Sequence, residues 1–143
     1  MKISSPDFQN NQMIPKKFTC QGGNINPTLK FENISKDAKS LALIMDDPDA
    51  PNQTFVHWVI FNIPIVDKID GNSSLGIEGI NSASEIGYIA PCPPTGTHRY
   101  FFKLYALDVL LDLEKGVTKE DLEKAMKSHI IEQAQFIGLY IKS

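Results

Sequence analysis

The chain has 143 residues, with 14 Lys plus Arg against 17 Asp plus Glu, 42% hydrophobic and 22% charged residues, the composition of one ordinary globular domain and not of a fibre or a disordered arm. At this length a core can form without a metal or a disulfide framework, and a net charge of −3 with scattered cations gives no electrostatic pull toward nucleic acid or an anionic bilayer. No apolar run is long enough for a membrane span, and Pro6 and Asp7 interrupt the amino terminus where a signal peptide would need its apolar stretch. The expectation is a single cytoplasmic domain over residues 1–143, with Cys20 and Cys92 kept as thiols by a reducing compartment.

Taken in chain order, the first clear element is Leu41–Met45, five apolar residues closed by Asp46-Asp47-Pro48, which reads as a buried strand. Phe55 to Ile63 is rich in β-branched and aromatic residues and ends at Pro64, so it reads as a second strand. Asp67 to Gly87, with Gly71, Gly76 and Gly79, reads as a long excursion made of turns. Tyr100 to Asp108 reads as a strand covered on both faces. A helix over 118–134 follows from Thr118 as a cap, Asp121 as its capping-box partner, and Leu122, Ala125, Met126, Ile130 and Ala134 at helical spacing. Phe136 to Ile141 closes the chain as a strand. The sum is a mainly β domain of antiparallel sheets packed together, because the strand–helix alternation of a doubly wound fold is missing.

Three segments carry chemistry. Asp46-Asp47-Pro48-Asp49-Ala50-Pro51 clusters three carboxylates, and its prolines hold Asp47 and Ala50 in defined directions; it lacks the spacing of a calcium loop, and no metal is expected. His57-Trp58 lies inside a strand, where alternation sends the two side chains to opposite faces, either as core or as pocket groups. Pro91-Cys92-Pro93-Pro94-Thr95-Gly96-Thr97-His98-Arg99-Tyr100 is a proline-stiffened loop that delivers polar groups to the start of a strand. Arg99 is the only arginine in the chain. Its planar fork suits either a ligand carboxylate or phosphate, or an internal pair with Asp47 or Asp49. His129 reads as helix packing. A nucleophilic Cys92 lacks a helix amino terminus to activate it, and no Gly-x-Ser-x-Gly elbow occurs, so no catalytic residue is expected.

Together, Asp47-Pro48-Asp49-Ala50-Pro51, His57-Trp58 and Pro91 through Asp108 resemble the phosphatidylethanolamine-binding protein family, also called Raf kinase inhibitor proteins, in its short bacterial and archaeal branch. The resemblance runs from Phe18-Thr19-Cys20 to Gly138-Leu139-Tyr140. It implies two antiparallel sheets packed as a sandwich with one or two peripheral helices. It also implies an anion pocket lined by Asp47, His57, His98 and Tyr100, with Pro91 shaping the rim and the backbone N–H of Ala90 pointing inward. Asp49, Pro51, Trp58 and Arg99 would support that pocket, with Arg99 turned away from it and paired to the Asp-Pro-Asp segment. The chain departs from the family where Ile89-Ala90 replaces a Gly-Gly pair and adds Cβ atoms at the pocket mouth.

The expected ligand is a small phosphate-containing or zwitterionic anion, such as a phosphoethanolamine headgroup, bound without turnover or cofactor and serving a regulatory role. Histidines and Tyr100 can donate to phosphate oxygens, while Asp47 repels a bare phosphate unless it holds a histidine protonated or meets an ammonium. A second reading is a protein–protein inhibitor of a kinase or serine protease, using the 67–87 excursion. A third is a phosphoester hydrolase with His57 or His98 as acid or base. An exposed β-rich surface also admits a homodimer.

Overall fold

Every residue of Ser40–Asp47 is buried, which requires a strand covered on both faces, and the two hydrophobic clusters of the molecule supply the covers. The computed structural model describes residues 1–142. In chain order the elements are β1 (Lys2–Ser4), β2 (Gln12–Met13), β3 (Leu29–Glu32), β4 (Ser40–Asp47), β5 (Phe55–Ile63), β6 (Lys68–Ile69), β7 (Ile77–Glu78), β8 (His98–Leu107), α1 (Lys119–Met126) and β9 (Ile130–Tyr140). A larger sheet has the order β2-β9-β8-β4-β5-β7, and a smaller one the order β1-β3-β6. All pairings are antiparallel except the short parallel contact of β2 with β9.

One cluster fills the space between the sheets, where Ile3, Leu29, Phe31 and Ile69 of the smaller sheet meet Leu41, Leu43, Met45, Trp58, Ile60, Phe102 and Leu104 of the larger. The other lies on the opposite face of the larger sheet, where Ala42, Ile44, Val59, Phe61, Tyr105 and Leu107 pack under Leu122 and Met126 of α1. Alternation along β4, β5 and β8 thus feeds two cores, as the two-sided apolar pattern of the sequence predicts. Burying Leu122 and Met126 contributes roughly 2 kcal/mol each to seating the helix.

The helix is shorter than its spacing predicts. Thr118 caps it through a complete capping box with Asp121, but it ends at Met126, and Lys127 and then Ser128, at φ 73°, turn the chain into β9. Ile130 and Ala134, expected on the helix, pair instead with Leu107 and Leu104 of β8. His129 accordingly packs on no helix; its Nδ1 lies 2.9 Å from the Asp108 carboxylate at the surface. The excursion 67–87 contains β6, β7 and an Ile80–Ile86 bridge in addition to turns.

The two cysteines are not thiols: Cys20 and Cys92 form a disulfide, with Cα atoms 5.4 Å apart across a sequence separation of 72. The expectation of thiols rested on the compartment and on spacing along the chain, neither of which reports proximity in the fold. No helix among the described residues is long and apolar enough to cross a membrane.

Candidate functional site

Where β4 ends and β5 and β8 begin, a cavity of about 230 Å³ is lined by Asp47, Ala50, Pro51, Phe55, His57, Ile89, Ala90, Cys92, Pro93, Pro94, His98 and Tyr100. The strand ladder explains how distant residues reach it. β4 lies between β5 and β8, with Asp47 opposite Phe55 and Asp46 opposite Phe101, so the ends of three adjacent strands open at one corner of the sheet.

His57 reaches this corner through a β-bulge. Met45 faces Trp58 and Asp46 faces Val56, which leaves His57 as the extra residue on β5. The bulge cancels the expected alternation of His57 and Trp58, and the His57 ring meets the Tyr100 ring edge-on at 5.2 Å. Trp58 stays in the core between the sheets and donates from Nε1 to Glu78 Oε2 at 2.8 Å. His57 Nδ1 donates to the Ile89 carbonyl at 2.7 Å, since a carbonyl can only accept. That bond fixes the tautomer and leaves Nε2 as the bare nitrogen. Burial lowers the pKa of His57 from its ordinary 6.5, against smaller upward pulls from the Ile89 carbonyl and Asp47, so the resting ring is neutral.

The three carboxylates of the Asp-rich segment are compensated separately. Asp46 points to the helix side and receives Lys103 and Lys119 at 3.1 and 3.0 Å. Asp47 is buried on the cavity side, where its Oδ2 accepts from His98 Nδ1 at 2.6 Å and its Oδ1 from the Asp49 amide at 2.8 Å. Asp49 is gripped by both Nε and Nη2 of Arg99 at 2.9 Å, and also accepts from the Arg99 amide. The guanidinium holds the Asp49 carboxyl down at about 2. Of the two readings open for Arg99, the geometry is that of the internal pair.

His98 therefore presents Nε2 with Nδ1 committed to Asp47, much as His57 does with Nδ1 committed to a carbonyl. Neither Nε2, nor the Tyr100 hydroxyl, has a hydrogen-bond partner among the described residues. Burial, with smaller contributions from Asp47 and Asp49, pushes the Tyr100 pKa well above the ordinary phenol value, so the hydroxyl stays a protonated donor.

Two expected contributions differ in the structure. The amide of Ala90 is not a free donor, because it is spent on Asn24 Oδ1 at 2.8 Å, although Ala90 lines the cavity. Pro91 is buried but does not line the cavity, and its carbonyl accepts from the Cys20 amide at 3.0 Å. Of the apolar lining, the sequence reading names Ile89 and Ala90 at the mouth but not Phe55, Pro93 or Pro94. Phe55 sits one alternation step from His57, a signal that could have placed it, whereas Asn24 lies 66 residues from Ala90 and carries no such mark. No group of three or more His, Cys, Asp and Glu side chains placed to hold a metal occurs among the described residues.

Comparison with known proteins agrees with the fold. The sequence profile described as phosphatidylethanolamine-binding protein matches residues 4–141. The UPF0098 protein of Methanothermobacter thermautotrophicus is 46% identical over 98% of each chain, and that of Chlamydia muridarum is 47% identical over the same shares. The crystal structure of a phosphatidylethanolamine-binding protein homologue from Chlamydia trachomatis superposes with a TM-score of 0.97 at 43% identity, covering 99% of this chain and 97% of that one. Escherichia coli YBCL, at 23% identity, shares the fold with a TM-score of 0.91 over 99% of this chain and 98% of its own. The chain is a short member of the phosphatidylethanolamine-binding protein family.

Proposed function

We propose that the cavity binds a phosphomonoester headgroup bearing a cation, of which phosphoethanolamine is the simplest, and that it does so without turnover. The observation that carries this reading is the convergence of two imidazoles, each committed through Nδ1, and a tyrosine hydroxyl with no partner among the described residues on one cavity of about 230 Å³. Tyr100 donates to a phosphate oxygen, and the His57 Nε2 lone pair accepts from a P–OH. Asp47, already bonded to His98, faces the ammonium end. The remaining wall is Phe55, Ile89 and prolines, which suit a short carbon linker. Cys92 is locked in a disulfide and offers no thiolate nucleophile.

One proton links the ligand to pH. A phosphomonoester dianion meets a bare lone pair on neutral His57 and is repelled by Asp47; the monoanion, which dominates below a second pKa of about 6, brings the missing donor. Affinity therefore rises as pH falls from 8 toward 5.5, with the proton resting on phosphate or on Nε2. Calorimetric titration of phosphoethanolamine across that range should show uptake of up to one proton per complex and an affinity gain of up to about tenfold per pH unit. Affinity that is flat with pH, or no binding at any pH, contradicts the reading.

A further inference from the structure

The cavity wall formed by Cys92, Pro93 and Pro94 is held in an unusual way. Among the described residues, the segment from Cys92 to Thr97 has no hydrogen bond of its own, backbone or side chain; the bonds stop at the Pro91 carbonyl and resume at His98. Gly96 carries a positive φ of 71°, and a Cβ added there would meet no group beyond its chain neighbours within 4 Å, so the side-chain face of the tip is open. What fastens this wall is the burial of Pro93, the φ restriction of its two prolines, and the bond from Cys92 to Cys20. Cys20 in turn sits on a firm base: the Thr19 hydroxyl donates to the Lys16 carbonyl at 2.7 Å, and the Gly22 and Gly23 amides bond back to Thr19 and Lys17. Both cysteine residues are exposed at the surface while Cys92 also lines the cavity, so one covalent bond joins two surface residues and borders the candidate site.

We propose that the Cys20–Cys92 bond is a site of thiol–disulfide exchange with a dithiol reductant, and that opening it loosens this wall and weakens ligand binding. The inference rests on the reading of the cavity as a ligand site. In the exchange, one thiolate of the dithiol attacks Sγ of Cys20 or Cys92, the S–S bond breaks, and the released cysteine sulfur takes up a proton. The second thiol of the reagent then attacks the mixed disulfide and frees the other cysteine. The protein gains two electrons and two protons, and the reagent leaves as its own disulfide. With the tether cut, residues 92–97 sample positions that no longer line the cavity, and the apparent affinity falls by the fraction of time the wall is in place.

The test compares the oxidised protein, the dithiothreitol-reduced protein and the Cys20→Ser/Cys92→Ser variant. The expected results are two new alkylatable thiols on reduction of the folded protein, lower amide order parameters at Thr95, Gly96 and Thr97, and a Kd for phosphoethanolamine raised about tenfold in both the reduced protein and the variant. Equal affinity in all three forms overturns the inference, as does unchanged order in the loop. A bond that dithiothreitol does not open until the protein unfolds also overturns it, as does global unfolding on reduction. If the oxidised protein itself fails to bind phosphoethanolamine, the proposed ligand falls, and the thiol count and loop amides alone decide whether the bond tethers the wall.

Discussion

Asp46 offers a stability test that depends on one carboxylate and two ammonium groups drawn from separate elements. Its side chain is 1% exposed, its Oδ2 takes both lysines, and its Oδ1 has no partner among the described residues. Replacing Lys103 and Lys119 together by Met keeps the apolar stems and removes both ammonium groups, which leaves a buried, uncompensated carboxylate. Breaking a fully buried pair in this way costs roughly 3–5 kcal/mol. The lysine side chains are 30% and 16% exposed, so solvent already screens part of the attraction and the lower end applies, about 3 kcal/mol. For a chain of 143 residues this corresponds to a fall in Tm of about 10 °C. Adding Asp46→Leu to the double variant removes the stranded charge and should recover most of the loss. Urea denaturation of the two variants beside the wild type reads the comparison. A double-Met variant within about 0.5 kcal/mol of the wild type refutes the reasoning, because the carboxylate would then be stabilised by something other than its two lysines.

Three further substitutions test the account elsewhere. Because burial holds the folded pKa of His57 below 6.5, the unfolded chain binds a proton more readily, and wild-type stability should fall as pH drops below 6.5; His57→Gln should flatten that part of the pH–Tm profile. Asp49 runs the other way along the acid limb: its folded pKa of about 2, against an ordinary 3.8, gives stability that is present above pH 4 and lost as pH falls toward 2, so Asp49→Asn should lose less than wild type over that interval. At Gly138, where β9 passes under the amino-terminal segment, an added Cβ would stand 2.5 Å from Ile14 Cγ1 and 2.7 Å from Phe8 Cε2. Gly138→Ala should cost about 1–3 kcal/mol in chemical denaturation, with the near-ultraviolet signal of the packed aromatics altered.

Much of the larger sheet is legible in the sequence because its central strands are apolar on both sides and stopped by proline or aspartate. Phe55–Ile63 matches its predicted bounds, and the core of β4 and most of β8 follow for the same reason. The helix start is legible too, since the Thr118–Asp121 capping box is a local signal. Its end is not. Leu122, Ala125, Met126, Ile130 and Ala134 keep helical spacing, but ten pairings between β8 and β9 outweigh that propensity and draw Ile130 onward into the sheet. The polar members of the candidate site come from three separate stretches that carry readable marks: acids between prolines, a histidine in an apolar strand, and a proline-rich loop. What fixes each of them is less readable. The bulge that turns His57 toward Tyr100, the Asn24 side chain that takes the Ala90 amide, and the disulfide across 72 residues all depend on tertiary proximity. Residue spacing along the chain says nothing about these.

The central claim is that the cavity at the end of β4 takes a phosphate-bearing headgroup through His57, His98 and Tyr100. Amide chemical shifts followed during titration of phosphoethanolamine at pH 6, in low salt, into the wild type and into His57→Ala test it most directly. The account predicts saturable shifts centred on Asp47, His57 and residues 89–100 in the wild type, and their loss or strong weakening in the variant. Saturable shifts that lie elsewhere, or that persist unchanged in His57→Ala, contradict it.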